Sequence, residues 1–372
     1  MAHIGIAGAG LLGRLLAWTL AHAGHDVEVF DPAPGPAPLH SGDGAAAWTA
    51  AGMLSPLAEQ EHASAEVTAL GWRSLPLWQS IVQRLGGEPF FARRGSLLLA
   101  HQSDLGSARR VLARLTQSHD QTHPQRAPAQ PQELSRAQLL DLEPALHNVA
   151  HAWLLPGEGQ IHPVQTMIAL HRDAPRVIWH WQSWARDIVP HAFDVHEAEP
   201  RPDNPKHTRS IRRRFDLVFD VRGVGGRPEC DVRGVRGELL WLHAPGLRLT
   251  RPLRLLHPRH RVYIVPRPGD LVVVGASEIE SDDAQAVTLR SAVELMAAAH
   301  SVLPELADSR LVHLEANLRP ALPDHQPHLH HEPGLVRING LFRHGWLMAP
   351  ALVEQALHEC GLGVRPPLQE AA

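Results

Sequence analysis

Residues 3–32, HIGIAGAGLLGRLLAWTLAHAGHDVEVFDP, constrain the fold more than any other stretch of the chain. An apolar run over residues 3–7 enters a turn spaced by Gly8, Gly10 and Gly13. It continues into a helical pattern whose apolar face is Leu12, Leu15, Leu16, Thr19 and Leu20. Gly24 offers a helix stop, and a second strand over residues 27–30 ends on Asp31. Strand, glycine turn, helix and strand in this order give the GxGxxG spacing its meaning; without them, three glycines in a loop say only that something packs closely. Gly8 permits the tight turn, Gly10 lets the backbone approach a pyrophosphate, and Gly13 lets helix and strand touch. The helix N-terminus offers free amides and the positive end of its dipole. Asp31 stands where an acid accepts from a ribose hydroxyl, which argues against NADP and leaves NAD and FAD open.

At 372 residues the chain is long enough for two domains. A hydrophobic content of 44% suits a globular protein, and a net charge of -4 disfavours nucleic acid as a partner. The two cysteines, Cys230 and Cys360, make neither a disulfide framework nor a CxxC site and fit a reducing compartment. No signal peptide is read before the first strand, and no apolar run approaches the roughly eighteen residues that span a bilayer. The expectation is a cytoplasmic protein with no integral membrane segment.

Beyond Asp31, a Pro- and Gly-rich loop over 32–38 leads to GDGAAAWTAAGMLSPLAE at 42–59, where small residues let the backbone run close to something. Helical periodicity follows over 62–85, then a broken strand over 90–100, a helix over 104–115, a polar loop over 117–132, and a short helix that Ser135 caps and Pro144 ends. A strand and turn at 152–163 precede a helix from Pro163, and strand-like pieces then run to 217 around a polar loop at 197–210. The buried strand over 215–221 ends in Gly223, Gly225 and Gly226, so a second strand runs into glycines; in a doubly wound sheet both turns face one ligand. Residues 234–278 alternate strand after strand, which predicts an antiparallel sheet. A helix over 288–303, strands over 310–319 and 335–339, and a helix over 345–360 complete the chain.

Parallel-type α/β units at both ends with β-rich segments between them imply a nucleotide-binding domain assembled from separated pieces. A second, α+β domain carries the large antiparallel sheet. The expected division gives 1–88, 150–232 and 323–372 to the first domain, and 89–149 and 233–322 to the second.

Four segments, in a fixed order, resemble the amine-oxidising flavoproteins of the D-amino-acid oxidase superfamily, above all its glycine oxidase group associated with thiamin biosynthesis. They are GAGLLG with Asp31; AAAWTAAGML; VRGE with YIVPR and VVVGASE; and LRPALPD with NGLFRHGWLMAPAL. The resemblance implies a Rossmann-like FAD-binding domain of the GR2 type, with FAD rather than NAD as cofactor. By position in the motifs, Gly8, Gly10, Leu12, Gly13 and Asp31 hold the ADP half, with Gly223 at the second glycine turn. Thr49, Ala51, Gly52 and Met53 run along the isoalloxazine. Gly340, Arg343, His344, Gly345, Trp346, Leu347 and Met348 close on its pyrimidine edge, where a helix N-terminus favours the negative charge of reduced flavin. Sarcosine-type relatives tether flavin through a cysteine shortly before the final helix. None stands there in this chain, so non-covalent FAD is implied.

The resemblance makes Arg319 the guanidinium that clamps a substrate carboxylate, with a structural ion pair to Asp324 or Glu315 as the competing reading. Arg343 either joins the active site or braces the flavin loop. Tyr263, the chain's only tyrosine, matches a hydroxyl that faces the carboxylate; the alternative is a packed side chain. Met53 lines the pocket or belongs to the core. Glu278 replaces an apolar pocket residue of some relatives and, facing the pocket, would disfavour acidic substrates or attract a cation.

The implied activity is oxidation of glycine or another small amino acid or amine by hydride transfer to flavin, with dioxygen as acceptor; orientation does most of the work and no general base is named. A D-amino-acid or sarcosine-type dehydrogenase feeding a quinone, and a flavin-binding protein without turnover, are the alternatives. Relatives of this kind suggest a homo-oligomer. His325, His328, His330 and His331 read as an exposed loop rather than a metal site.

Overall fold

The computed structural model describes residues 1–38, 44–117, 130–198, 208–256 and 261–362. Most of the polar loops expected at 117–132 and 197–210 lies outside the described residues.

The first large sheet has six strands in the order His328–Glu332, Leu335–Asn339, Leu217–Asp220, His3–Ala7, Asp26–Asp31 and Ile178–Trp181. Neighbours pair in parallel except at the edge, where His328–Glu332 runs antiparallel to Leu335–Asn339. Ile4, Ile6, Val29, Phe30, Phe219 and Val336 are almost wholly buried, as strands covered on both faces require. Helices Leu11–His22, Ala65–Arg84, Pro163–Arg172 and Gly345–Glu359 pack together with this sheet in one core. A three-stranded antiparallel sheet, Ser183–Val189, Ala192–Ala198 and Thr208–Arg214, forms a second cluster in which Phe193 and Phe215 meet Phe30 and Val218. The histidines expected in a loop are corrected here: His328, His330 and His331 lie on the edge strand, whose polar residues concealed it.

The second large sheet has eight strands, ordered Arg310–Ala321, Arg233–His243, Leu271–Gly275, Arg261–Arg267, Leu253–Leu256, Ser96–Ala100, His151–Leu155 and Gln132–Leu134. It is antiparallel as expected apart from one join, where Leu253–Leu256 runs parallel to Ser96–Ala100. Those two strands are distant in sequence, so no hairpin fixes their sense. His151–Leu155 also belongs here, not with the first sheet as the boundary at 150 expected, because Ala152, Trp153 and Leu155 bury among the residues of this sheet. Helix Leu289–Val302 covers one face, and its Thr288 cap accepts from the Ser291 amide at 3.2 Å. A small sheet of Met53–Leu54, Gly159–Ile161 and Phe91–Ala92 completes the described strands. Among the described residues no helix is long and apolar enough to cross a membrane.

Candidate active site

The first strand leaves for its helix through a turn that only glycine permits. Gly8 takes φ +105°, and a Cβ at Gly13 would stand 1.8 Å from the Gly8 carbonyl oxygen. Gly10 is different in kind: among the described residues a Cβ there would meet only the Ala45 Cβ, at 3.6 Å, so none of them demands glycine at that position. Gly10 is the N-cap of helix Leu11–His22, with no side-chain cap and no acid in the first turn. This uncapped, positive helix end borders a cavity of about 510 Å³, whose wall includes Gly8, Gly10, Leu12, Asp31 and Gly223. Asp31 accepts from the Ala9 amide at 2.6 Å and the Ala33 amide at 2.8 Å. Each carboxylate oxygen retains lone-pair capacity beyond those bonds.

Arg14, which sequence reasoning passed over, is buried in the same helix. It donates to the carbonyls of Ala9, Met167 and Pro36 at 2.9, 2.9 and 3.0 Å, and its guanidinium carbon lies 4.9 Å from the Trp48 ring. Burial lowers its pKa to about 10 despite the nearby Asp31. A cation inside an otherwise apolar helical face was the available signal.

A second cavity, of about 880 Å³, shares Thr49, Ala50, Arg319, Arg343 and Trp346 with the first. Its wall also includes Ala51, Gly52, Met53, Tyr263, Glu278 and His344. Helix Gly345–Glu359 begins here, again with no side-chain cap and no acid in its first turn. Gly345 borders the smaller cavity and Leu347 the larger. Gly340, at φ +77°, shapes the preceding turn, and Met348 is buried in the core; like Gly13, neither lines a cavity. The small-residue segment is held between sheet and helix by two side chains. Asn317 Nδ2 donates to the Gly44 carbonyl and Thr49 Oγ1, both at 3.3 Å, and Trp346 Nε1 donates to the Ala47 carbonyl at 3.0 Å.

Arg319 stands on the first strand of the large sheet, opposite Val235. Its guanidinium occupies the space left by Gly237, where a Cβ would lie 2.2 Å from Nη2. Nη1 donates to the Ser277 carbonyl at 3.0 Å, and among the described residues Arg319 makes no ion pair. Asp324, one competing partner, accepts instead from the Gln326 amide at 2.9 Å. Burial lowers the Arg319 pKa, opposed by Tyr263 and Glu278; a guanidinium stays charged under these conditions. Tyr263 pairs in register with Gly275, whose missing Cβ leaves room for its ring and hydroxyl. Burial raises the pKa of that phenol.

Arg343 sits in a charge cluster. Nη2 meets Glu59 at 3.1 Å and Nη1 meets Glu278 at 3.1 Å. Glu59 also takes Arg254 at 2.6 Å and His344 at 2.9 Å. Burial alone would raise the Glu59 pKa, yet Arg254, then His344 and Arg343, hold it well below the usual carboxylate range. Sequence reasoning missed Glu59 and Arg254. The one signal for Glu59 was an acid closing the apolar MLSPLAE run, where a core-facing helical turn would bury it.

Two uncapped helix ends, a glycine turn with one position open to a ligand, and two joined cavities fit an extended dinucleotide with a ring system at one end. Comparison with known proteins agrees. The family described as FAD dependent oxidoreductase (DAO) matches residues 3–355. The chain is 33% identical to the thiamine biosynthesis oxidoreductase ThiO of Rhizobium etli, over 93% of its own length and 92% of that protein. It is 25% identical to a glycine oxidase of Geobacillus kaustophilus, over 93% of this chain and 89% of the relative. The crystal structure of glycine oxidase from Geobacillus kaustophilus has the same fold, with a TM-score of 0.74 at 21% identity over 95% of this chain and 92% of that one. So does iminodiacetate oxidase from Chelativorans sp. BNC1, with a TM-score of 0.75 at 22% identity over 98% and 97%. The expected fold and cofactor are borne out: the chain belongs to the DAO family of FAD-dependent oxidoreductases.

Proposed function

We propose that this protein oxidises glycine or another small amino acid or amine, with non-covalently held FAD, in thiamin thiazole biosynthesis. The observation that carries the reading is Arg319: a guanidinium at the junction of the two cavities, anchored by a neutral carbonyl and free of any ion pair among the described residues. Such a group is a ready partner for a substrate carboxylate. The names of the ThiO and glycine oxidase relatives support the choice of substrate and pathway.

In this reading Gly8, Gly10, Leu12, Asp31 and Gly223 hold the ADP half. Thr49, Ala51, Gly52 and Met53 border the ring, and residues 343–347 close its far edge. Gly13, Gly340 and Met348 act through packing. Neither Cys230 nor Cys360 lines either of the two joined cavities, which supports a non-covalent cofactor. We assign the cofactor-holding domain to 1–88, 156–232 and 323–372 and the substrate domain to 89–155 and 233–322; the pairing of His151–Leu155 with Ser96–Ala100 and Gln132–Leu134 supports the boundary after 155.

FAD, held by these residues, would supply two-electron redox chemistry: acceptance of the substrate α hydrogen as hydride and reoxidation by dioxygen with peroxide as product. Arg319 grips the carboxylate, and the Tyr263 hydroxyl offers that group a second contact. Together they fix which face of the α carbon is presented, the contribution that orientation makes to such a reaction. The amine proton passes to solvent, and the resulting imine is the product offered to thiazole assembly; any that escapes is hydrolysed by water to the keto acid and ammonia.

The test is anaerobic addition of glycine, sarcosine and D-alanine to the purified holoenzyme, followed by air. Bleaching of the flavin and peroxide on re-oxygenation are expected. Bleaching with slow reoxidation would point to a quinone-linked dehydrogenase, and no bleaching by any amine would defeat the proposal. Arg319→Ala is expected to raise the KM for the amino acid by about two orders of magnitude, with FAD retained.

A further inference from the structure

We propose that Glu278 sets a negative charge beside the substrate site, so that the site takes an amino acid with one carboxylate and rejects one with two. The inference rests on the amine oxidation proposed above and names its substrate class.

Three guanidiniums belong to the inner cavity: Arg254, Arg319 and Arg343. Two carboxylates pair with them directly, and Glu158 and Glu61 add to the negative charge around Arg254. Glu59 takes Arg254 at 2.6 Å and one terminal nitrogen of Arg343 at 3.1 Å, and Glu278 takes the other terminal nitrogen at 3.1 Å. Arg343 is therefore held from both sides and has little left to offer a substrate. Among the described residues Arg319 is anchored by the Ser277 carbonyl and paired with no carboxylate. Its guanidinium is the one of the three left for a single substrate carboxylate to pair with directly.

The two glutamates are not equivalent. Glu59 is buried and shared among two arginines and His344. The Glu278 side chain is 44% exposed, on a residue that lines the cavity, and its described contact uses Oε2 only. It follows Ser277 directly, so the chain sets this negative charge one residue from the anchor of Arg319. A second carboxylate on the substrate would meet like charge from Glu278 and an Arg343 already paired. Discrimination then comes from repulsion of the wrong ligand as well as attraction of the right one. Further out, Arg110, Arg114, Arg290 and Glu294 are exposed, where water and salt screen them, and the partly buried Glu61 meets Arg114 at 3.4 Å.

The test uses the oxidised holoenzyme at about pH 8.5, above the ordinary histidine range. Acetate and malonate are titrated while the flavin absorption is followed, in the native protein and in Glu278→Gln. The native protein should prefer acetate. Glu278→Gln should shift the ratio of the two dissociation constants toward malonate by at least about tenfold, and the shift should shrink as salt is added. Glu278→Asp should keep the native preference. Glu278→Met, another uncharged side chain, should reproduce the shift if the Gln protein proves unstable. A ratio unchanged within about twofold, or no binding of either anion, overturns the assignment. Because the readout is binding, the two proposals separate. A clear shift in a protein that oxidises no amine defeats the activity and leaves Glu278 in place; glycine oxidation with an unchanged ratio does the reverse.

Discussion

Arg319 and Tyr263 occupy their positions because the neighbouring strands carry no side chain beneath them. A Cβ on Gly237 would lie 2.2 Å from Arg319 Nη2, and one on Gly275 would lie 2.8 Å from the Tyr263 hydroxyl. At Gly237 the obstacle is the far end of a flexible side chain, so Gly237→Ala should fold and simply push the guanidinium aside. The expected result is a KM for glycine raised about tenfold or more, or about 1.4 kcal/mol, with flavin content and Tm nearly unchanged. At Gly275 the obstacle is a stiff ring, and Gly275→Ala should also cost about 1–3 kcal/mol in stability, measurable by thermal denaturation. Equal KM values in Gly237→Ala and native enzyme would remove Arg319 from the substrate site. Neither glycine announces this in the sequence, where a glycine inside a strand reads as a weak point or a bulge. Arg319 itself was singled out only through resemblance, since its residue type left an ion pair open. Glu59 escaped notice because Arg254, Arg343 and His344 reach it from distant parts of the chain.

At the level of elements, the glycine turn and its helix separate two uses of glycine that the motif alone runs together. Gly13→Ala would drive a Cβ against the Gly8 backbone oxygen, which cannot rotate away. It should destabilise even the flavin-free protein, by about 3 kcal/mol. Gly10→Ala meets nothing among the described residues closer than 3.6 Å, and Gly10 already has negative φ, at -69°. Its flavin-free Tm should match that of the native protein while the FAD dissociation constant rises at least about tenfold, as titration of the flavin-free protein would show. Parallel losses of stability in both variants would mean that Gly10 is there for packing. This first unit was legible because strand, turn, helix and strand each follow from nearby residues, and the final helix and its preceding strand were legible for the same reason. The parallel join between Leu253–Leu256 and Ser96–Ala100 was not, because pairing between remote strands leaves no local pattern. The edge strand His328–Glu332 was hidden for another reason: an exposed strand need not alternate in hydrophobicity.

Across the whole molecule, the large sheet and the helical turn Pro56–Glu59 meet at a second buried carboxylate. Glu158 accepts from the Ala58 amide at 2.9 Å and from the Ser96 hydroxyl, and is fully buried. Burial pushes its pKa up to about 7, with Ser96, Ala58 and Arg254 pulling the other way. Its contribution to stability therefore has the opposite sign to that of Glu59. Between the ordinary value of 4.5 and about 7, folded Glu158 keeps a proton that the unfolded chain has lost. Stability falls as pH rises through that window, and the loss is complete above it. Glu59, held well below 4.5, stabilises the fold above that value and loses this contribution only as pH falls below it, so the two windows do not overlap. Glu158→Gln keeps an acceptor for the Ala58 amide, lets its own amide donate to the Ser96 hydroxyl in place of the reverse bond, and removes the titration. Thermal denaturation at pH 5 and pH 8 should show the variant gaining on the native protein at the higher pH, by about 1–3 kcal/mol relative to the lower. An equal difference at both pH values would show that Glu158 ionises with the same affinity folded and unfolded. A larger gain at pH 5 would reverse the sign and make Glu158 a stabilising anion, held as Glu59 is by the neighbouring Arg254.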